Sequence, residues 1–232
     1  MFFSRTLIKL AALASVTSFL VGCATPTKMA FKNETDVIVS GGKPVFLMTA
    51  TLKNDYRTYY QPKLFVVHVE RNEAKDRSDR INFIMDEKAK LETDTAESGN
   101  SYLLRMELEN GDYVIRGLSG FSGIFPIRGT FFAPLHAEIK SNGSGVFYLG
   151  HVTATVRERK EKEFKAGPSI PLVDQAVTGF SGGTFDIEIT DQLEKDEPVF
   201  KSKFPALRDV NIQKAILPSF DRAKAQQWWE AH

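Results

Sequence analysis

Two histidines, His136 and His151, are the residues whose type and spacing come nearest to a metal site. They flank Asn142-Gly143, a dipeptide typical of two-residue hairpin turns, so they would lie on the two arms of one hairpin, opposite its apolar face. Two imidazoles on neighbouring strands could approach one metal ion, with Glu138 nearby. No third ligand is identifiable, and cross-strand histidine pairs are usually partly exposed polar positions. The sequence therefore predicts no metal site and no cofactor.

Asp186 and Glu188 form a second pair that could do chemistry. On a strand they would lie on one face about 7 Å apart, a spacing compatible with the paired carboxylates of glycosidases. Phe185, Ile187 and Ile189 alternate with them and would face a core. This alternation favours the wet face of an ordinary strand over a catalytic pair.

Gly179-Phe180-Ser181-Gly182-Gly183 resembles the G-x-S-x-G nucleophile motif of serine hydrolases. That family places a helix after the serine and a histidine later in the chain, whereas here an alternating strand follows and the only later histidine is His232. The segment also resembles the serine segment of chymotrypsin-like proteases, but Phe180 replaces that family's aspartate and the earlier His68 lacks the usual flanking residues. We therefore expect a glycine-permitted turn and no enzyme. A surface-localised serine hydrolase using Ser181 remains the alternative.

Two stretches could form binding loops, because long loops at the end of a sandwich commonly carry binding surfaces. Residues 117–126 contain four glycines or prolines, and residues 166–183 contain Pro168 and Pro171. Their apolar members are the candidate binding residues Phe121, Ile124, Phe125, Leu172 and Val173. The alternative is that both stretches only cover an open end of the sheet.

These residues must be positioned by strands, because from Phe31 onward apolar and polar residues alternate between turn residues. Nine strands are predicted, at 37–40, 45–53, 63–70, 80–85, 102–107, 112–118, 128–139, 145–157 and 184–190. Few helices separate them, so antiparallel pairing is expected. The predicted fold is mostly β, an antiparallel β-sandwich over residues 31–191 with a short C-terminal helix.

The best-specified unit is the predicted hairpin around Asn142-Gly143. Apolar residues recur at alternate positions in 131–139 and 146–156, and a two-residue turn would align both sets on one side. Residues 107–114, Glu-Leu-Glu-Asn-Gly-Asp-Tyr-Val, resemble a hairpin entry common in prealbumin-like sandwich modules of bacterial lipoproteins. That resemblance also implies a β-sandwich.

Residues 192–232 form a C-terminal segment of different character. Residues 192–203 are highly charged, and residues 219–231 are predicted to form a helix with Ser219 as its N-cap. A helix of about a dozen residues is marginal alone, so it should dock onto the sandwich through Trp228.

Composition excludes some functions. After residue 22 the chain has 28 basic and 29 acidic residues, because the first 22 residues hold Arg5, Lys9 and no acid. This near-neutral balance lacks the basic footprint that nucleic-acid binding requires. With a single cysteine, Cys23, the domain can form no internal disulfide and must be stabilised by its core.

Residues 1–22 have the layout of a secretory signal peptide, with a short basic start, an apolar run of about 12 residues and a small residue before Cys23. Leu20-Val21-Gly22-Cys23 resembles the lipobox of bacterial lipoproteins. The resemblance implies that the chain is cut before Cys23 and that this cysteine carries acyl chains. Ala24, where an aspartate would retain a lipoprotein at the inner membrane, implies the outer membrane of a Gram-negative bacterium. The alternative is an ordinary signal peptide with an incidental cysteine.

These patterns predict an acylated anchor and short linker at 23–30 and a domain held near the membrane. The predicted function is that of an envelope lipoprotein whose sandwich is a binding or structural module for an envelope protein, a lipid or a cell-wall component. Besides the hydrolase, a carrier of a small apolar ligand remains an alternative. The domain is expected to face the periplasm.

Overall fold

The computed structural model describes residues 25–33, 35–38, 41–123, 125–168 and 173–231, and within them two packed β-sheets. The front sheet contains, in spatial order, β1 (Thr25–Lys28), β4 (Arg80–Ile84), β3 (Lys63–Arg71), β7 (Gly111–Ser122) and β8 (Gly129–Ser141). The back sheet contains β10 (Gly183–Thr190), β9 (Val146–Glu158), β2 (Val45–Asn54), β6 (Gly99–Glu107) and β5 (Lys90–Thr95), and β11 (Ile212–Lys214) also pairs with β9. The helices are α1 (Val173–Val177), α2 (Leu193–Lys203) and α3 (Arg222–Ala231), with single 3-10 turns at Arg77–Asp79, Glu87–Ala89 and Pro205–Leu207.

The predicted fold class, a mostly β sandwich with a short C-terminal helix, is confirmed. Most neighbouring strands are antiparallel, but β1 with β4, β2 with β9 and β11 with β9 pair in parallel, so both sheets are mixed. Strands β2 and β9 are far apart in the chain, so a long connection, and not a hairpin, joins this parallel pair. Of the predicted strands, that at 37–40 is wrong for residues 37 and 38, which are not in a strand, while residues 39 and 40 lie outside the described residues.

The predicted hairpin around Asn142-Gly143 is wrong. Strand β8 belongs to the front sheet, where it pairs with β7, and β9 belongs to the back sheet. The chain between them crosses from one sheet to the other, with positive φ at Gly143 and Gly145. The predicted apolar face of β8 still meets Val152, Ala154 and Val156 of β9 in the core, because an arch between sheets can bury these residues as a hairpin would. The prediction that Val146 and Tyr148 share that face is wrong, because the β2–β9 pairing shifts register between Leu47 and Thr49 and both side chains lie on the other face of the back sheet.

A second apolar cluster lies on the outer face of the back sheet. It joins Leu47, Leu103 and Tyr148 from the strands to Phe200 and Phe204 at α2. The charged segment predicted at 192–203 is thus largely a helix. Acidic residues stand in its first turn and lysines in its last, the arrangement that the helix dipole favours.

The chain enters the sandwich earlier than predicted. Cys23 and the rest of the predicted signal peptide and lipobox lie outside the described residues, but Thr25–Lys28, assigned from the sequence to a linker, form β1 at the edge of the front sheet. Met29 and Phe31 are buried, and the Ala30 N–H donates to the carbonyl oxygen of Arg105 at 2.9 Å. The hydrogen bonds of an edge strand and two buried apolar side chains thus hold this segment to the domain.

Helix α3 packs on the outer face of β8. The ring centroid of Trp228 lies 5.4 Å from that of Phe132 and 5.1 Å from that of His136. The cap is not Ser219 but Asp221, whose Oδ1 accepts the Lys224 N–H at 2.9 Å.

The sandwich has two ends that matter for function. We call the end where β1 begins the proximal end and the opposite end, from which β3 begins, the distal end. Thr25 stands at the level of Val69 in β3, through Ile81, and Lys63 lies six residues from Val69 along that strand. At about 3.3 Å per residue, the two levels are roughly 20 Å apart.

Candidate functional site

The loop residues predicted to bind a partner differ in their exposure to solvent. Phe125 is 82% exposed and Val173, at the start of α1, is 78% exposed. Phe121 is half-buried at the end of β7, with the guanidinium carbon of Arg128 5.6 Å from its ring centroid. Ile124 and Leu172 lie outside the described residues. Phe125 therefore stands out among the candidates as an aromatic side chain open to a partner.

Phe125 lines a cavity of about 490 Å³ between the distal ends of the two sheets, which we call the distal cavity. Its aromatic and apolar wall comes from two loops, the β2–β3 loop at 55–62 and the described residues of the β7–β8 loop, 123 and 125–127. The lining residues are Tyr59, Tyr60, Gln61, Lys63, Asn100, Gly123, Phe125, Pro126 and Ile127. Sequence reasoning missed the members outside 117–126, although adjacent tyrosines in a turn-rich segment were a visible signal.

The β2–β3 loop is held in one conformation by Asn54, which is fully buried at the end of β2. Its Nδ2 donates to the carbonyl oxygens of Tyr60 at 2.9 Å and Thr178 at 3.0 Å, and its Oδ1 accepts the Arg57 N–H at 2.8 Å. Gln61 adds hydrogen bonds with both backbone groups of Asn54. Because the backbone is fixed in this way, the loop presents its tyrosines with little ordering entropy left to lose on binding.

The tyrosine rings form a rigid aromatic corner. Tyr59 is 82% exposed, and its ring meets that of Tyr60 edge to face, with centroids 5.3 Å apart. Exposed aromatics from two loops on one cavity are the kind of anchor that binding sites use.

The polar groups of the distal cavity are few. Asn100 is fully buried, and its Nδ2 donates to the carbonyl oxygen of Pro62 at 2.8 Å. Its Oδ1 is buried and accepts no hydrogen bond from any of the described residues. Lys63, an exposed residue, is the one charged side chain among the described lining residues, and no carboxylate lines the cavity with it. The site thus offers one buried acceptor and one cation on an aromatic background.

The structure does not bring His136 and His151 together. His136 is buried on the front sheet beside α3, and His151 lies on the back sheet. Among the described residues, no group of three or more His, Cys, Asp or Glu side chains is placed to hold a metal ion. The two histidines were expected to be neighbours only because the hairpin was misassigned.

Each sheet carries a hydroxyl–imidazole pair that the sequence did not reveal. On the front sheet, His68 Nε2 lies 2.6 Å from Ser119 Oγ and His68 Nδ1 lies 2.9 Å from Asn82 Oδ1. Burial lowers the pKa of His68 below its ordinary value, which keeps the ring neutral at pH 7. A neutral imidazole between a hydroxyl and a carbonyl oxygen can accept a proton from the hydroxyl.

On the back sheet, His151 Nε2 lies 2.9 Å from Thr51 Oγ1, and His151 Nδ1 lies 3.2 Å from Asp196 Oδ2. Tyr148 donates its hydroxyl to the same Asp196 oxygen at 2.5 Å. Burial alone would raise the pKa of Asp196, but the hydrogen bonds, chiefly that from His151, lower it. Burial and the carboxylate both raise the pKa of Tyr148. The network joins α2 to the sheet beneath it.

Neither pair is a complete site for acyl transfer. Ser119 and Thr51 stand within strands that pair with neighbours on both sides, so the backbone N–H groups around them are committed to the sheet ladders. Acyl transfer needs N–H groups free to stabilise an oxyanion. The geometry therefore fits structural hydrogen bonds between neighbouring strands better than nucleophilic centres.

The remaining candidates from the sequence, Ser181, Asp186 and Glu188, lie in β10 or in the turn before it, in surroundings typical of a turn and a strand surface. Ser181 is half-buried in the turn before β10, where its N–H donates to the carbonyl oxygen of Gln175, and no hydrogen bond among the described residues joins it to a histidine. Asp186 forms ion pairs with Arg157 and Arg222, while Glu188 is exposed. The two carboxylates of β10 thus differ in their surroundings.

A second cavity, of about 540 Å³, lies between β8, residues 165–168 and α3. Its apolar wall consists of Phe131, Phe132, Trp228 and Trp229, and Lys165 and Glu230 stand on its lining. We call it the helix cavity.

Comparisons with known proteins leave the interpretation to the geometry. A scan against protein-family models, a search of curated proteins and a search of solved structures each gave no match. Among the described residues, no helix has the length and apolar character needed to cross a membrane.

Proposed function

We propose that this protein is a membrane-anchored envelope lipoprotein of a Gram-negative bacterium whose β-sandwich binds a partner at its distal end. The observation that carries the proposal is the short path from the lipobox cysteine to the fold. Only Ala24 separates Cys23 from Thr25, the first residue of β1. At no more than about 3.6 Å per residue, the Cα atom of Thr25 lies within about 7 Å of the Cα atom of the acylated Cys23.

Such a short tether fixes which part of the domain is near the bilayer. The chain enters at the proximal end, and β1 runs from there towards the distal end. The distal cavity then lies roughly 20 Å or more from the point of attachment, open to the periplasm. A binding surface at that end can reach an envelope protein or cell-wall component without competing with the membrane.

Acylation at one cysteine suffices for this role. Each buried methylene contributes about 0.8 kcal/mol, so two or three acyl chains hold a protein stably where one would not. Because the anchor supplies attachment, the domain itself needs no membrane-binding surface.

The test is the full-length Cys23→Ser variant, expressed in a Gram-negative host with radiolabelled palmitate. The wild type should incorporate label and fractionate with the outer membrane, and the variant should do neither. A matched variant, Ala24→Asp, keeps the cysteine and should keep the label but shift the protein to the inner membrane. A Cys23→Ser protein that remains in the outer membrane fraction would contradict the proposal.

A second candidate function, carriage of a small apolar ligand, is supported by the helix cavity. Its wall contains two tryptophans, Trp228 and Trp229, so a bound fatty acid should quench their fluorescence. Saturable quenching by a fatty acid, lost in Phe132→Ser, would favour this function. Unchanged fluorescence at millimolar fatty acid would count against it.

A further inference from the structure

The distal cavity combines three chemical features that together define a class of ligand. Exposed aromatic rings form its wall, and its lining includes Asn100, whose buried amide oxygen has no donor among the described residues. Lys63 is the one charged residue of the described lining. We propose that the cavity binds an acidic oligosaccharide. The inference rests on the proposed function, since it names the chemistry of the partner that this sandwich would bind.

The aromatic wall suits the faces of sugar rings. The C–H bonds on one face of a pyranose carry partial positive charge and lie well against the negative face of an aromatic ring. Tyr59 and Phe125 are both 82% exposed, and they come from different loops on the same cavity. Two such rings can contact successive sugars of a chain.

The buried amide supplies the polar half of the recognition. A buried acceptor without a donor costs about 1–3 kcal/mol, so Asn100 Oδ1 should gain from a ligand that brings an O–H donor. Its Nδ2 is already engaged with Pro62, which fixes the orientation of the amide. A sugar hydroxyl is such a donor.

The charge on the lining selects for acidity. Lys63 makes no ion pair with any carboxylate of the described chain, and the described lining contains no acid to balance it. A carboxylate on the sugar would be its complement. A neutral sugar would bind through the rings and the amide alone.

A peptide ligand fits these features less well. One common mode of peptide binding adds a strand to a free sheet edge. The strands that reach this cavity, β3, β6 and β7, are all interior strands with partners on both sides. The cavity therefore offers isolated side-chain contacts rather than a row of backbone hydrogen bonds.

The experiment uses the full-length protein in detergent micelles and titration calorimetry. One probe is a cell-wall glycan strand freed of its peptides, whose lactyl ethers carry carboxylates. The matched neutral probe is a chitin oligosaccharide of equal length, which shares the backbone but lacks the carboxylates, and the third probe is the free stem peptide. We expect the acidic glycan to bind several-fold more tightly than the neutral one in low salt, and the peptide not to bind.

Variants assign the binding to the cavity. Tyr59→Ala and Phe125→Ala should each weaken glycan binding about five- to tenfold, while Phe65→Ala, an exposed aromatic of β3 outside the cavity, should leave it unchanged. Lys63→Gln should remove the preference for the acidic probe. Asn100→Leu should weaken binding of both glycans about tenfold or more. It removes an oxygen that has no donor among the described residues but also the hydrogen bond to the Pro62 carbonyl oxygen, and because these two changes oppose each other in stability, the urea midpoint should shift little.

Three results would overturn the inference. They are the absence of glycan binding at millimolar concentration, binding that survives both aromatic substitutions, and tighter binding of the stem peptide. Palmitate labelling of the same preparation separates this failure from failure of the proposed function. An acylated protein that ignores glycans overturns only the ligand assignment, and an unacylated protein that binds them overturns only the anchor.

Discussion

Arg105 is the largest fully buried side chain of the described chain, and removing its charge should be severely destabilising. Its guanidinium donates to Asp86 Oδ2 at 2.6 Å, to the Ala30 carbonyl oxygen at 2.9 Å and to the Leu103 carbonyl oxygen at 2.9 Å. The guanidinium carbon also lies 4.1 Å from the ring centroid of Phe204. One side chain thus joins the N-terminal segment, the 3-10 turn after Asp86 and the turn after α2.

The magnitude follows from the groups that Arg105→Met would leave behind. Removing one partner of a buried ion pair costs about 3–5 kcal/mol, a range that includes the other hydrogen bonds of that partner, here those to the Ala30 and Leu103 carbonyl oxygens. The Asp86 side chain retains 16% exposure, which places the loss near the lower end. The lost contact with Phe204 adds about 1–2 kcal/mol, and the apolar methionine offsets a similar amount. We therefore expect a net loss of about 3–4 kcal/mol, or a fall of roughly 6–16 °C in Tm.

Urea denaturation followed by tryptophan fluorescence measures this loss. Arg116→Met is the matched control, because Arg116 pairs with Glu70 at a partly exposed site and should cost at most about 1 kcal/mol. Adding Asp86→Asn to Arg105→Met should recover part of the loss, since it removes the carboxylate left without its partner. If Arg105→Met and Arg116→Met are equally stable, the reasoning about the buried charge is wrong.

A second readout locates the effect. Arg105 holds Ala30, and Lys28 and Lys32 beside it are exposed. In Arg105→Met, trypsin should therefore cleave at these lysines in urea concentrations below the unfolding transition, at which the wild type stays intact. Cleavage at unchanged rates would show that β1, the buried Met29 and Phe31 and the backbone bond of Ala30 hold the segment without the guanidinium.

Three further perturbations have defined outcomes. Asn54→Ala removes three buried hydrogen bonds and should cost about 2–4 kcal/mol by urea denaturation, whereas exposed Asn142→Ala should stay within about 0.5 kcal/mol. The Arg157 guanidinium lowers the pKa of Glu163 from 4.5 to about 2. The ionised Glu163 should therefore contribute its full stabilisation above pH 4.5 and lose it as the pH falls through 2. Glu163→Gln should make the free energy of unfolding depend less on pH over that range. Trp228→Ala should cost about 2 kcal/mol and speed amide exchange in α3 before the sheets, which mass spectrometry can follow.

The sequence predicted well those features that depend on one strand at a time. In β8, alternate residues from Phe131 to Ile139 were expected to face a core, and they do. Burial of a strand face is decided by the side chains of that strand against any apolar neighbour, so alternation suffices to identify it. The bounds of the eight predicted strands from residue 45 onward lie within four residues of the observed bounds for the same reason, whereas the strand at 37–40 was wrong for residues 37 and 38 and β1, β5 and β11 were not predicted.

Strand partners could not be predicted in this way. The alternation of β8 and β9 is satisfied equally by a hairpin within one sheet and by an arch between two, and Asn142-Gly143 permits either. The choice depends on β2, which takes the place beside β9 from nearly a hundred residues away. Helix α2 was missed for a related reason, because its few apolar residues bury against a sheet face that no local pattern reveals.

The same distinction explains which part of the candidate site was visible. Phe125 was predicted from its own loop, since a glycine- and proline-rich segment with aromatics is recognisable locally. Asn100 could not be, because its significance comes from the Pro62 carbonyl oxygen that fixes its amide and from the loops that enclose it. A buried polar group is available to a ligand only where the surrounding chain provides no hydrogen-bond partner for it. Whether a partner is present depends on the register between strands. Binding sites built at the end of a sandwich, from loops of both sheets, will therefore be found through unsatisfied buried groups more readily than through motifs.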